Sequence, residues 1–185
     1  MAQVPVMDPD YVRRQLCVRA DDVHRSLLLE WGQVPDRERT VDVSGYAFPE
    51  TPDDLFPWAA VALATDSDRE RVLLVRHESH DYGWEPPGGK GEPDESVSET
   101  ARREVREETG LMARIEELVL VERLQFDYGL PVNAPVVQAV FSARADGEPH
   151  APPGEDAIPE VRWFHREDVP EDAQFRELIL EELLS

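Results

Sequence analysis

The stretch from Gly89 to Leu111, GKGEPDESVSETARREVREETGL, constrains the fold more than any other part of the chain. It opens as a glycine-rich turn, where a strand cannot continue and the backbone can approach a ligand closely. It then runs into a helix with legible ends. Ser96 and Glu99 have the spacing of a capping box, and Gly110 is placed as a left-handed stop. Val97, Ala101 and Val105 recur every fourth residue and predict a buried face. Glu104, Glu107 and Glu108 stand at i, i+3 and i+4, which puts them on one side of that helix. Three converging carboxylates repel one another unless something positive lies between them. A hard divalent cation with oxygen ligands, magnesium or manganese, suits such a group.

The flanking segments predict a mixed fold. WAAVALAT (58–65) and RVLLVRH (71–77) are short apolar runs around an acidic turn, as in a hairpin or neighbouring strands. Trp84 to Gly89 leads through paired prolines and glycines into the helix. LMARIEELVLVERLQF and PVVQAVFSARA read as two further strands, and EVRWFHRED as a short one. A terminal helix from Glu171 to Leu184 turns Phe175, Leu178, Ile179 and Leu183 inward. Strands mixed with two or three helices indicate an α+β domain of α/β/α layers. Residues 1–50 differ from this core and form an N-terminal extension; residues 51–185 form the main domain. The extension has helical stretches with Asp8 and Asp21 as N-caps, and RTVDVSGYAF alternates like a strand. It reads as a packing element, a dimerisation arm or a lid.

At this point the residues resemble a known family. The pattern G-x5-E-x7-R-E-U-x-E-E-x-G-U of the Nudix box, with U aliphatic, is met by Gly89, Glu95, Arg103, Glu104, Val105, Glu107, Glu108, Gly110 and Leu111. Nine constrained positions over 23 residues far exceed a lone glycine pattern. The resemblance covers roughly residues 56–185 and implies the Nudix fold, an α/β/α sandwich with a mixed sheet and a loop-helix-loop catalytic motif. It implies a Mg²⁺- or Mn²⁺-dependent hydrolase of a nucleoside diphosphate linked to another moiety. It further implies metal ligands at Glu104, Glu107, Glu108 and the Gly88 carbonyl, an orienting Arg103, and a loop-fixing Glu95. The general base is either a box acid, Glu107 or Glu108, or an acid of the later loop, Glu155 or Asp156. Lys90 and Arg76 are placed to meet phosphate. Tyr128 resembles a tyrosine that some dinucleoside-polyphosphate hydrolases of the family use for base stacking. Phe126 and Asp127 stand where members that cleave ADP-ribose tend to carry a proline. The competing reading is a catalytically silent Nudix-fold module that senses a nucleotide. An isoprenoid-diphosphate isomerase of the same fold would need a cysteine beside the site, and the only one, Cys17, precedes the domain.

Charge bounds the partners. Forty acidic residues against nineteen basic ones give a net charge of −21, which repels duplex nucleic acid and anionic membranes. The expected partner is a small nucleotide-like diphosphate, with a homodimer left open. Lys90 is the only lysine, and this arginine-for-lysine, acid-rich surface resembles that of salt-loving archaea; a GC-rich genome is the alternative. No apolar run approaches the roughly 18–20 residues of a membrane-spanning helix, and no signal peptide is legible at the N-terminus, so the expected compartment is the cytoplasm. A bland reading of the other candidates makes Trp58 and Trp163 core aromatics, Trp84 core or a cleft wall, and His77 and His80 hydrogen-bonded surface.

Overall fold

The computed structural model describes residues 7–77, 83–151 and 160–184. In chain order the regular elements are α1 (Pro9–Trp31), β1 (Asp36–Asp42), β2 (Trp58–Thr65), β3 (Arg71–Arg76), β4 (Gly88–Lys90), α2 (Val97–Thr109), β5 (Ala113–Asp127), β6 (Asn133–Ala145), β7 (Glu160–His165) and α3 (Arg176–Glu182). The strands form one mixed sheet in the order β1-β5-β6-β2-β3-β7, and β4 pairs with β2. β1 runs parallel to β5 and β2 parallel to β6, while the other pairings are antiparallel. β2 lies in the interior of this sheet, which explains why it reads as an unbroken apolar run. Its alternate residues serve opposite faces.

Ala60, Ala62 and Ala64 face one core cluster together with Ala139, Phe141 and Ala143 of β6. Ala20 and Leu27 of α1 and Ala101 and Val105 of α2 cover that face. Val61 and Leu63 face the other cluster, which Ile179 of α3 closes with Trp84 and Phe164. Helices therefore lie on both faces, the predicted α/β/α arrangement. The run of alanines under α2 lets the helix axis approach the sheet closely, since small side chains fill little depth between the two layers.

Three local expectations shift. Asp8 caps α1, accepting from the Asp10 N–H at 3.0 Å, whereas Asp21 lies inside one continuous helix. The predicted strand at residues 39–48 instead spans Asp36–Asp42, where seven residues pair with Val121–Asp127 of β5. The C-terminal helix begins only at Arg176, because the Gln174 N–H donates to the Trp84 carbonyl at 2.9 Å and Phe175 takes φ +57°. Its apolar residues still face inward, with Ile179 fully buried. The first fifty residues also engage the sheet through charge. Arg37 of β1 donates to Glu122, a fully buried carboxylate of β5, at 2.8 Å. No helix among the described residues is long and apolar enough to cross a membrane.

Candidate active site

Local chemistry fixes α2 at both ends. The Ser96 hydroxyl accepts the Glu99 N–H at 3.3 Å, and the Glu99 carboxylate accepts the Ser96 N–H at 2.7 Å. Gly110 takes φ +72° and its N–H closes the last turn on the Arg106 carbonyl at 2.9 Å. Ala101 and Val105 are fully buried against the sheet, and the flank of the helix beside them, which carries Glu104 and Glu108, is presented to the β4 turn. The acids of that flank gather near the helix C-terminus, where the macrodipole disfavours negative charge. Helix stability alone does not account for them.

Arg103 is the centre of the site. Its Nε donates to Glu95 Oε1 at 2.7 Å and its Nη1 to Glu104 Oε1 at 2.8 Å and Glu107 Oε2 at 2.9 Å. Its Nη2 donates to the Lys90 carbonyl at 2.9 Å and to Glu95 Oε2 at 3.2 Å. One guanidinium thus ties together the turn, the loop acid and two box acids through charge-assisted bonds. Glu95 is held from its other side as well. The Trp58 indole donates to the Thr100 hydroxyl at 3.1 Å, and that hydroxyl donates to Glu95 Oε2 at 2.9 Å.

Glu108 has a separate anchorage. The Gly88 N–H donates to its Oε2 at 3.0 Å, and His77 Nε2 lies 3.1 Å from its Oε1. The buried Glu85 carboxylate is 3.7 Å from the same imidazole nitrogen. The antiparallel ladder pairs Gly89 with Ala60, and Ala62 N–H bonds the Pro87 carbonyl. That alternation turns both the N–H and the carbonyl of Gly88 away from β2, toward the side on which Glu108 stands.

The electrostatics follow from this packing. Burial pushes Glu104 up to about 7, helped by the neighbouring Glu108 and Glu107 charges and opposed by Arg103. Burial also raises Glu108, against the lowering effect of His77 and the Gly88 N–H. The Arg103 hydrogen bond outweighs burial at Glu95 and holds it below the usual range. Burial alone would lower Arg103, yet its bonds to Glu95, Glu107 and Glu104 raise it.

The donor set suits a hard cation, since Glu104, Glu107, Glu108 and the Gly88 carbonyl offer only oxygen. Among the described residues, however, no three His, Cys, Asp or Glu side chains converge on one point as they stand. Arg103 Nη1 lies between Glu104 and Glu107 and pairs with both. Glu107, half exposed at the edge of the cluster, is the carboxylate with room to turn toward an ion beside Glu104 and Glu108. By donor chemistry the residues fit a divalent cation.

The remaining candidates divide. Lys90 is exposed, and its backbone carbonyl, rather than its ammonium group, engages the network. Arg76 is half exposed and pairs with Glu160 across β3 and β7 at 3.1 Å. Tyr128 packs edge-on against Phe48 at 5.3 Å in the cluster formed with Val12 and Leu16 of α1. Glu155, Asp156 and His80 lie outside the described residues. Sequence reasoning missed Glu85, Thr100 and the inward turn of His77. None belongs to the box spacing, and only the pairing of β3 with the Glu85 segment brings Glu85 and His77 to α2. Trp84 is core, stacked edge-on against Phe164 at 4.7 Å, whereas Trp58 contributes a hydrogen bond to the site as well as packing.

Comparison with known proteins agrees with this fold. The chain is 30% identical over 118 residues to the ADP compounds hydrolase NudE of Escherichia coli, an alignment covering 58% of this chain and 59% of that protein. It is 29% identical over 117 residues to the NAD-capped RNA hydrolase ndx-9 of Caenorhabditis elegans, covering 63% of this chain and 30% of the relative. The chain therefore spans less than two thirds of the curated relatives it matches. Among solved structures, a MutT Nudix hydrolase from Burkholderia pseudomallei superposes with a TM-score of 0.53 at 26% identity, over 69% of this chain and 98% of that one. A Nudix hydrolase from Nitrosomonas europaea gives 0.51 at 28% identity, over 70% of this chain and 69% of the other. The family model described as NUDIX domain matches residues 55–183, and the chain belongs to the Nudix family.

Proposed function

We propose that this chain is a metal-dependent pyrophosphohydrolase that uses Mg²⁺ or Mn²⁺ to cleave a phosphoanhydride bond in a nucleoside diphosphate linked to another moiety. The observation that carries the proposal is the Arg103 network. It preorganises Glu95, Glu104 and Glu107, three of the four acids of a complete box, at the glycine turn, at an energetic cost to the helix end that a silent module would have no reason to bear. The names of the relatives, hydrolases of ADP compounds and of NAD-capped RNA, support a nucleoside diphosphate as the common substrate element.

In this reading Glu104, Glu107, Glu108 and the Gly88 carbonyl hold the cation. When bound, the cation supplies charge neutralisation on the phosphates and acidifies water. The chain's own residues do the rest. Arg103 and Glu95 keep the turn in register with α2, and Gly88 and His77 orient the Glu108 carboxylate. Glu107, the most exposed of the three box acids, is the base that takes the proton of the attacking water. Lys90, on the exposed side of the turn, meets the diphosphate and offsets the protein's negative field.

Turnover of a nucleotide panel with Mg²⁺ or Mn²⁺, at low and molar salt, followed by phosphate release or mononucleotide formation, tests this. Tight nucleotide binding without turnover would reverse the reading. Full activity of Glu107→Gln would overturn the placement of cation and base. The salt arms address the acidic surface, since unfolding in dilute buffer that molar KCl reverses is the outcome expected of a salt-adapted protein.

A further inference from the structure

The inner face of α1 is fully accounted for by Val12, Leu16, Ala20 and Leu27, which are buried against the sheet. Its outer face is unusual. Tyr11, Val18 and Leu29 are exposed by 43%, 56% and 82%. They are separated by two and three helical turns, so they line up on the side opposite the buried one, with Asp22 and Arg25 between Val18 and Leu29. Met7, also exposed, immediately precedes the helix. Half of the eight large exposed hydrophobic residues among those described therefore lie along this one element.

The charge of α1 is equally out of character. Residues 9–31 contain four acids and four arginines, so the helix is neutral while the rest of the chain carries the whole net charge of −21. A neutral helix face that carries exposed apolar residues lets two such acidic molecules meet without strong repulsion.

This face is also complementary to itself. In an antiparallel pairing of two copies about Val18, position i comes level with position 36 − i. Arg14 is then level with Asp22 of the second copy, an opposite-charge pair. Tyr11 is level with Arg25, a cation over an aromatic face. Met7 is level with Leu29, beside a surface depression of about 380 Å³ that Leu28, Leu29, Arg25 and Arg123 line. In a parallel pairing each of these positions would face its own copy, placing Arg14 on Arg14 and Asp22 on Asp22. We propose that the outer face of α1 is a homodimer interface, in which a second copy of this chain packs antiparallel across a twofold axis at Val18.

The test uses the full chain. Sedimentation equilibrium at moderate salt, up to about 100 μM, in the range of weak complexes, should return the mass of two chains. Val18→Arg should return one chain with unchanged nucleotide turnover, since α1 lies outside the catalytic cluster. In a Cys17→Ser background, Val18→Cys should form a reducible dimer under mild oxidation. Leu29→Cys should not, because its two copies would lie about 33 Å apart at a rise of about 1.5 Å per residue. A mixture of Tyr11→Cys and Arg25→Cys proteins should cross-link to each other. A single-chain mass throughout, or self-cross-linking of Leu29→Cys, would overturn the proposal. Both outcomes are independent of whether the chain hydrolyses nucleotides.

Discussion

Replacing Arg103 with alanine is the sharpest perturbation available, because one side chain holds the turn, the loop acid and two box acids together. The Arg103 side chain is 13% exposed, and those of Glu95 and Glu104 are 18% and 12% exposed. Removing one partner from a fully buried charge pair costs about 3–5 kcal/mol. Two features reduce that here. The cluster retains some solvent, and Glu104, already near 7, can take up a proton instead of remaining an unpaired charge. The expected loss is then about 2–4 kcal/mol, read as a lowered urea midpoint at constant slope in metal-free protein. In a domain of this size it corresponds to a melting point lower by about 6–12 °C. Turnover should fall to background, because Glu107 and the Lys90 turn lose their common anchor. Arg103→Lys should recover part of the stability but little activity, since an ammonium group cannot fork between Glu95 and Glu104. The acid limb should change too. Glu95 is depressed in the parent, so its contribution is present above its unfolded value and is lost as pH falls through the folded one. Without Arg103 that dependence should flatten. A stability loss below about 1 kcal/mol, or parental turnover in Arg103→Ala, would refute the reasoning.

Four other substitutions probe separate links. Ser96→Ala removes the N-cap of α2 and should cost about 1 kcal/mol in denaturant unfolding, with a smaller effect on turnover. Gly88→Ala and Gly89→Ala should behave oppositely. A Cβ at Gly88 would lie 2.6 Å from the Ala60 carbonyl oxygen and 2.9 Å from Val61 Cα, backbone atoms that cannot rotate away. It should destabilise by about 1–3 kcal/mol. The nearest neighbour of a Cβ at Gly89 is the Glu104 carboxylate, the end of a side chain that can turn away, so thermal stability should hold better while activity falls further. Asp66→Asn tests a carboxylate remote from the site. Burial pushes Asp66 up, but the Arg71 side chain and the backbone N–H groups of Arg71 and Glu70 outweigh it and hold it below 3.8. Its stabilisation is therefore present above that value and lost as pH falls through the lower folded value. Acid unfolding of the variant, followed by circular dichroism, should be less steep below pH about 4.

Much of the site was legible in the chain alone, because α2 is specified locally. Capping box, left-handed stop, four-residue apolar spacing and clustered acids all act within a turn or two of one another, so their spacing in the chain is their spacing in space. The strands flanking α2 were legible for a similar reason, as short apolar runs punctuated by turns. Less legible were elements whose limits depend on distant partners. β1 extends to Asp36 because β5 offers it a parallel ladder, and α3 starts late because Trp84 takes the Gln174 N–H.

Residue order was enough to indicate the family and to specify the helix that carries the box acids. How those acids are held depends on the folded chain. Folding placed the Arg103 guanidinium between Glu104 and Glu107, and it turned His77 and Glu85 inward beside Glu108. It also joined Trp58 to Thr100, forty-two residues along the chain, and through Thr100 to Glu95. Helix periodicity links positions three or four apart, whereas contacts across a sheet join segments that no local spacing relates.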